Sequence, residues 1–222
     1  MATNSASCAQ DLVIHSIAEF ESEIARQQKT HSDEMVLFRG QTIDRPLVTS
    51  IHRSNATEDS ALIPDMHFSW SEFAANALSY LGHNTDRRSD SAMAVLQHYG
   101  ARSYFLDVTH DATVALWFAL NHFAKAGTAL LDETADPHLF FYPLLTAAYL
   151  PANRPEGFVY VIAVPRGMQS SHLIDLDNSL PPHVLRVHRQ RGALLANRDG
   201  QVNWGSHPSL TVCRLITAVS GP

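Results

Sequence analysis

Apolar residues near the start of the chain recur at helical spacing. They are Val13, Ile17, Phe20 and Ile24. Side chains three or four positions apart share one face of a helix, so this stripe predicts an amphipathic helix. A polar stretch follows, and the run Met35-Val-Leu-Phe38 then predicts a short strand. We therefore interpret residues 1–34 as a helical lead-in and residues 35–195 as the core.

Two more helical stripes lie between residues 70 and 96. The first is formed by Trp70, Phe73, Ala77, Leu78 and Leu81. The second begins near Ser89 and carries Met93 and Leu96. Packing against a core is the ordinary role of such stripes, so we interpret both as core-facing helices.

The densest apolar stretch lies in the middle of the chain. The segment from Tyr104 to Thr109 predicts a short strand, and the segment from Asp111 to Phe123 predicts a helix. This helix is apolar on nearly every side and must therefore be buried. We place Thr109 as its N-cap, Asp111 in its first turn, and Gly127 at its C-terminal end.

Two apolar runs in the second half predict further strands. Phe158–Val164 has the composition of a central strand covered on both faces, and Leu210–Ile216 predicts a final strand. Prolines interrupt residues 126–157, which we interpret as a surface insertion, and residues 196–222 form the C-terminal strand and tail.

Helices and strands are mixed along the chain without regular alternation. This pattern favours the α+β class over a doubly wound sheet. We predict a single domain over residues 1–222, with a mixed or mainly antiparallel central sheet flanked by helices.

Composition narrows the class of protein. The chain has 222 residues and is 45% apolar, which favours a globular core and argues against a disordered chain. A formal net charge of −6 argues against a protein that coats duplex nucleic acid. Among 16 basic residues, Lys29 and Lys125 are the only lysines, and there are 13 histidines. Codon bias, anion chemistry or a metal site would each produce this skew.

The cysteines and the apolar runs indicate the compartment. Cys8 and Cys213 lie near opposite ends of the chain without metal-ligand spacing, as expected in a reducing cytoplasm. The longest apolar run, Val114–Leu120, is far shorter than the roughly 20 residues of a membrane helix. The start of the chain has no signal-peptide pattern. We therefore expect a cytoplasmic protein without a membrane partner.

Four segments, taken in order, resemble the FRG domain family. They are Leu37-Phe-Arg-Gly-Gln41; Leu96-Gln-His-Tyr-Gly100 with Phe105-Leu-Asp-Val-Thr109 and Ala115-Leu-Trp-Phe-Ala119; Gly157-Phe-Val-Tyr-Val-Ile162; and Arg186-Val-His-Arg-Gln-Arg-Gly192. The family is named for its Phe-Arg-Gly at the end of an early strand. The resemblance implies a fold and the positions of a site more firmly than it implies a reaction.

Arg39 is the first candidate site residue. It leaves an apolar strand just before Gly40, where a ligand or another backbone can approach closely. An arginine there is well placed to clamp an anion. The alternative is a buried structural salt bridge, with Asp107 as the partner, because buried arginines are usually paired.

His98 and Asp107 are the candidate acid and base. His98 lies at the end of a helical pattern, where it either faces a cleft or merely caps the helix. Asp107 lies at the mouth of a strand, where it either acts as a general base or caps the following helix. Thr109 either offers its hydroxyl to a ligand or serves as a simple N-cap.

The segment from Arg186 to Gly192 is basic and carries the amide of Gln190. It predicts either phosphate contacts or a solvated, ion-paired face. The pair His110-Asp111 does not indicate a metal site, because adjacent helical residues point about 100° apart. The other histidines lack metal-ligand spacing, so we expect no metal.

The layout has a more distant likeness to ADP-ribosyltransferases. In those enzymes an arginine contacts the dinucleotide, a Ser or Thr orients the nicotinamide ribose, and a late glutamate assists transfer. The resemblance implies these roles for Arg39, Thr109 and Gln190. It also implies that Gly40 and Arg186 lie beside NAD, the expected co-substrate.

Gln190 hydrogen-bonds but cannot ionise, so base catalysis would fall to Asp107 or His98. The leading hypothesis is an NAD-dependent ADP-ribosyltransferase-like effector, of the kind found in bacterial toxins or phage defence. Such an effector would modify a nucleic-acid or protein acceptor and would be restrained by a neutralising antitoxin.

Two other classes of function fit the same residues. One is metal-independent RNA cleavage or RNA binding, with His98 and Asp107 as acid and base and the late arginines on phosphates. The other is a non-catalytic interaction module in which the polar residues lock a buried network. Convergence of Arg39, His98, Asp107, Thr109 and Gln190 on one cleft would favour a site.

Overall fold

We describe the fold from a computed structural model. The structure describes residues 11–49, 103–125, 147–152, 156–179, 185–196 and 203–218, together with the helical residues Asn76, Ser79, Ala94 and Gln97.

A seven-stranded sheet forms the centre of the described structure. Its strands are β1 (Leu12–Ile14), β2 (Met35–Gln41), β3 (Phe105–Thr109), β6 (Gly157–Val164), β7 (Leu173–Asp175), β8 (Gly192–Ala196) and β9 (Thr211–Thr217). Their order across the sheet is β1-β9-β6-β2-β3-β8-β7. β1 and β9 are parallel, and every other neighbouring pair is antiparallel. The predicted α+β class with a mainly antiparallel sheet is confirmed.

Five α-helices accompany the sheet within the described ranges. They are α1 (Ile17–Thr30), α2 (Ala112–Leu120), α3 (Arg166–His172), α4 (Leu176–Ser179) and α5 (Leu185–Arg189), and a 3-10 turn spans Trp204–Ser206. The Ser16 hydroxyl caps α1 by accepting from the Glu19 N–H, while the Glu19 carboxylate accepts from the His15 N–H. The Ser16 cap, together with the bond from His15 to Glu19, starts α1 at Ile17.

The sheet has an apolar cluster on each face. On one face, Phe20 and Ile24 of α1 and Ala115 and Ala119 of α2 pack against strand residues such as Phe38. On the other face, Leu37, Leu106, Ile162 and Trp204 belong to a second cluster. Both faces of β2 and β6 are therefore covered, which explains their nearly continuous apolar sequences. The prediction of a central strand over Phe158–Val164 is confirmed.

The N-terminal prediction is partly wrong. Val13 lies in β1 instead of a helix, and its side chain is 44% exposed. Ile17 opens α1 but is 48% exposed, whereas Phe20 and Ile24 are buried as predicted. The parallel pairing of β1 with β9 overrides the helical spacing around Val13.

The prediction of a helix from Asp111 to Phe123 needs two corrections. Asp111 itself is the N-cap of α2, because its carboxylate accepts from the N–H groups of Thr113 and Val114 at 2.8 and 3.3 Å. The helix ends at Leu120, because the next residues form β4 (Asn121–Lys125) and pair with β5 (Ala147–Pro151). Gly127 lies outside the described residues.

The predicted insertion over residues 126–157 is described in part. Its residues 147–151 form β5 of the separate two-stranded sheet, and Gly157 begins the central strand β6. Residues 126–146 lie outside the described residues, as does most of the region of the two middle helical stripes. Within the described ranges, no helix has the length and apolar character needed to cross a membrane.

Candidate functional site

The junction between β2 and β3 differs from the rest of the sheet. β2 pairs with β6 at each of its residues, whereas a single pair, Phe38 with Thr109, joins it to β3. The antiparallel register would bring Gly40 opposite Asp107, but these two strands form no pair there. The main-chain ladder is therefore interrupted just beyond Phe38.

The Arg39 side chain spans this interruption. It is half-buried, and its Nη1 donates a hydrogen bond to the main-chain carbonyl of Asp107. Arg39 lies opposite Tyr160 of β6 and shares the sheet face of Leu37, whereas Thr109 lies opposite Phe38 on the face covered by α1 and α2. Residues two apart share a face, so Asp107 points to the Thr109 side.

The alternative of an Arg39–Asp107 salt bridge is therefore wrong. The two side chains leave the sheet on opposite faces, and the bond between them uses the Asp107 main chain instead of its carboxylate. The Arg39 side chain instead joins β2 to β3 where the main-chain ladder between them is interrupted. Because this bond uses the Asp107 carbonyl, the Asp107 carboxylate remains available to other partners.

The Asp107 carboxylate belongs to a second polar network. Gln97 Nε2 donates to Asp107 Oδ1, and Ser103 Oγ donates to Gln97 Oε1. The Phe105 N–H then donates to Ser103 Oγ at 3.1 Å. Gln97 and Ser103 are buried, while Asp107 is half-buried. This network orients the carboxylate that sequence reasoning selected as a general base.

Thr109 ties the end of β3 to the turn before β8. Its buried hydroxyl donates to the Gln190 carbonyl at 2.6 Å, with the Arg191 carbonyl 3.3 Å away. The same oxygen accepts from the Asp111 N–H at 3.0 Å. Thr109 is thus not the N-cap of α2, and its hydroxyl is already occupied by structural hydrogen bonds.

Gly40 accommodates the backbone of α2. A Cβ at this position would lie 1.8 Å from the carbonyl oxygen of Ala115 and 2.7 Å from the Ala119 nitrogen. Gly157 on β6 is similar, since a Cβ there would lie 2.5 Å from the Ala119 carbonyl oxygen. The sequence left open whether a ligand or a backbone approaches Gly40, and the structure places a helix backbone there.

The remaining candidate residues are only partly described. His98 lies outside the described residues, and Arg186 lies in α5 with a side chain that is not described. Gln190 is half-buried in the turn after α5, where its carbonyl accepts from Thr109. Among the described candidates, the structure brings Asp107, Thr109 and Gln190 to the helix-covered side of the junction and places Arg39 on the other side. The expected convergence of all the candidates on one cleft is therefore not seen among the described residues.

Sequence reasoning missed a charged network beside Arg39. Tyr160 lies between Arg39 and Arg214 in the register, and its hydroxyl donates to Asp44 Oδ1 at 2.7 Å. The Arg214 guanidinium donates to the carboxylates of both Asp44 and Asp11. A polar residue within an otherwise apolar strand, as at Tyr160 and Arg214, was the available signal.

These contacts shift the ionisation of the groups involved. Burial, reinforced by the hydrogen bond to Asp44, raises the pKa of Tyr160 well above its ordinary value. The hydrogen bonds from Arg214 lower the pKa of Asp11, and those same bonds raise the pKa of Arg214. Tyr160 and Arg214 therefore keep their protons at any physiological pH.

Within the described residues, no group of three or more His, Cys, Asp and Glu side chains could hold a metal ion.

The protein belongs to the α+β class, and the pairing of β2 with β3 in the middle of its mainly antiparallel sheet is interrupted beside polar side chains. A family model of the FRG domain matches residues 34–128, which include β2, β3, α2 and the residues Arg39, Asp107 and Thr109. The resemblance to the FRG domain family is thereby confirmed over these residues, and the two later segments, residues 157–162 and 186–192, lie outside the match. No curated protein and no solved structure matches the chain. The likeness to ADP-ribosyltransferases stays a prediction.

Proposed function

We propose that the protein is an NAD-dependent ADP-ribosyltransferase-like effector whose dinucleotide binds at the β2–β3 junction. The observation that carries the proposal is the position of the Arg39 guanidinium, half-buried where the ladder between β2 and β3 is interrupted. A planar cation in a partly desolvated setting interacts more strongly with phosphate than it does on an open surface. Arg39 would contact the pyrophosphate.

The hydrogen bonds give the other candidate residues roles that differ from those implied by the resemblance to ADP-ribosyltransferases. Asp107 lies on the opposite face of the sheet from Arg39, so in the proposed site it acts as the general base only through the interruption of the β2–β3 ladder, with its carboxylate held in place by Gln97. Thr109 and Gln190 support the site through the hydrogen bond between them and do not contact the ribose. His98 follows Gln97 directly in the sequence and is the second candidate for acid or base.

The proposed chemistry transfers ADP-ribose from NAD to a nucleophile. The bond between ribose C1′ and the nicotinamide nitrogen breaks, nicotinamide leaves as a neutral base, and C1′ bonds to the acceptor. The acceptor proton passes to the Asp107 carboxylate. We propose a nucleic-acid or protein acceptor in the cytoplasm, a role in toxicity or phage defence, and restraint by a neutralising antitoxin.

The test combines NAD calorimetry with nicotinamide release in a cell lysate. We expect the native protein to bind NAD and Arg39→Ala to weaken binding at least about tenfold, because a charged contact to phosphate is lost. Arg166→Ala is a matched control, since Arg166 also donates to a main-chain carbonyl, that of Asp33 at 3.1 Å, but on the exposed surface. A native protein that neither binds NAD nor releases nicotinamide would remove the proposal.

A second function, a non-catalytic interaction module, is favoured by one specific observation. Arg39, Asp107 and Thr109 all take part in hydrogen bonds that join separate segments of the sheet. If their role is purely architectural, Arg39→Ala will lower the melting temperature without changing NAD binding. Thermal unfolding of the same variants therefore separates the two functions. The RNA hypothesis depends on His98, outside the described residues.

A further inference from the structure

The turn that connects α5 to β8 contains an unusual backbone. Arg191 has a φ of 44°, and it is the one non-glycine residue with positive φ among the described residues. Its N–H donates to the His188 carbonyl at 3.0 Å, and its own carbonyl accepts from the His110 N–H at 3.0 Å. Helices often end on a residue in this left-handed conformation, but glycine or asparagine usually occupies the position.

An arginine in this conformation is strained relative to glycine, because its Cβ crowds the backbone. Residues held in strained conformations cluster at functional sites, where the side chain is needed despite the strain. Glycine would be favoured at position 191, yet the glycine of this turn is the next residue, Gly192.

The guanidinium of Arg191 is exposed and has a neighbour of the same charge. Arg189 is exposed as well, and neither side chain has a hydrogen-bond or ion-pair partner in the part of the chain that the structure describes. The acidic residue nearby, Asp177, is paired with His188 at 3.0 Å. Two unpaired cations only two positions apart in the sequence are notable in a chain whose formal net charge is −6.

His110 adds an independent observation. Its imidazole Nε2 is buried and has no hydrogen-bond partner among the described residues. Its main-chain N–H donates to the Arg191 carbonyl, so the residue lies at the same corner of the molecule as the turn. Buried polar nitrogens are rarely left without a partner, and one that lacks it favours a ligand that supplies an acceptor.

We propose that this corner, formed by Arg189, Arg191 and His110, binds a phosphate group, and that Arg191 contacts it directly. Arginine matches phosphate oxygens with paired N–H donors. The Thr109 hydroxyl donates to the Gln190 carbonyl at 2.6 Å, so the main chain next to Arg191 is bonded to the end of β3. The phosphate belongs either to a free nucleotide or to a polynucleotide.

The full-length protein is titrated with two probes, inorganic pyrophosphate by calorimetry and a labelled single-stranded oligonucleotide by fluorescence anisotropy. We expect Arg191→Gly to weaken binding of at least one probe about tenfold or more. We also expect it to raise the melting temperature by about 2 °C, because glycine relieves the strained backbone. Arg191→Lys, which keeps a charge, should bind more tightly than Arg191→Gly. The probe that responds identifies the source of the phosphate.

Arg166→Ala, which removes another exposed arginine, should leave binding within about twofold of native. Arg191→Asn, which tolerates the left-handed backbone, repeats the test if the glycine variant folds poorly. Unchanged binding in Arg191→Gly would overturn the proposal, as would a native protein that binds neither probe at millimolar concentration. Nicotinamide release tests the NAD proposal separately, so either proposal can fail without the other.

Discussion

Thr109 illustrates how one buried hydroxyl can join distant parts of the chain. It bonds to the carbonyl of Gln190, which lies 81 positions further along, and accepts from the N–H of Asp111. Arg39 acts similarly across 68 positions through the carbonyl of Asp107. Arg39, Asp107 and Thr109, three polar side chains of the family signature, therefore each have a structural partner. Any function must use the groups that these bonds leave available.

Thr109→Val tests the value of this hydroxyl. Valine keeps the shape but leaves the Gln190 carbonyl and the Asp111 N–H without their partner, so we expect a loss of about 1–3 kcal/mol in the free energy of unfolding. Urea denaturation measures the difference. Thr109→Ser is the control, because it keeps the hydroxyl and should recover most of the loss. A valine variant as stable as the native protein would show that water replaces these bonds.

At the scale of elements, α2 packs directly against the two strands beneath it, β2 and β6. The helix brings the backbone of Ala115 against Gly40 and that of Ala119 against Gly157, with no room for a Cβ at either glycine. Small residues on both sides thus let α2 approach the sheet much more closely than ordinary side chains allow. In the Phe-Arg-Gly segment, Gly40 therefore allows the close packing of α2, and Arg39 bonds to β3.

Gly40→Ala tests this close approach. The new methyl group would overlap the Ala115 carbonyl, which is backbone and cannot rotate away, so we expect a loss of more than about 3 kcal/mol or a protein that fails to fold. Gly167→Ala is the matched control, because nothing lies within 4 Å of a Cβ at that helical position. It should be neutral or slightly stabilising. Equal melting temperatures for the two variants would contradict the packing argument.

At the scale of the whole molecule, Arg214 connects segments that are far apart in the sequence. Its guanidinium bonds to Asp11, at a separation of 203 positions, and to Asp44, at a separation of 170. Asp11 lies just before β1, and Asp44 lies in the segment after β2 that also contacts Tyr160. One arginine on the last strand thus holds the beginning of the chain and the segment that follows Arg39.

Arg214→Gln gives a prediction about pH. Arg214 lowers the pKa of Asp11 in the folded protein, so the unfolded chain binds that proton more readily. The stabilisation is therefore fully present above the ordinary pKa of an aspartate and disappears as the pH falls through the lowered one. We expect the variant to melt a few degrees below native at pH 7, with the difference shrinking at acid pH and in high salt.

Arg166→Ala is the control, because the guanidinium of Arg166 bonds to a main-chain carbonyl that does not titrate. Its effect on the melting temperature should change little over the same range. Thermal unfolding between about pH 2 and pH 7 makes the comparison. A constant difference between native protein and Arg214→Gln at every pH would contradict the assigned role of Asp11.

The apolar runs were sufficient to predict the strands β2, β6 and β9. β2 and β6 are covered on both faces, whereas the buried positions of β9 alternate along the strand, and each kind of burial produces a local signal. Local signals failed where long-range pairing competed with them. The helical spacing around Val13 gave way to pairing with β9, and the apolar pattern beyond Leu120 gave way to pairing between β4 and β5. Helix propensity is a weak preference that such pairing readily overrides.

The same distinction between local and long-range information applies to the candidate site. Arg39, Asp107 and Thr109 could be selected from the sequence, because polar residues at strand ends stand out and resemble a family signature. Their orientation could not, since one step of strand register moves a side chain to the opposite face. The partnership of Tyr160 with Asp44 likewise depends on contacts across 116 positions. Buried positions recur along the sequence with the period of a helix or a strand, so the sequence alone reveals them. The pairing of distant segments depends on contacts that form only in the folded chain.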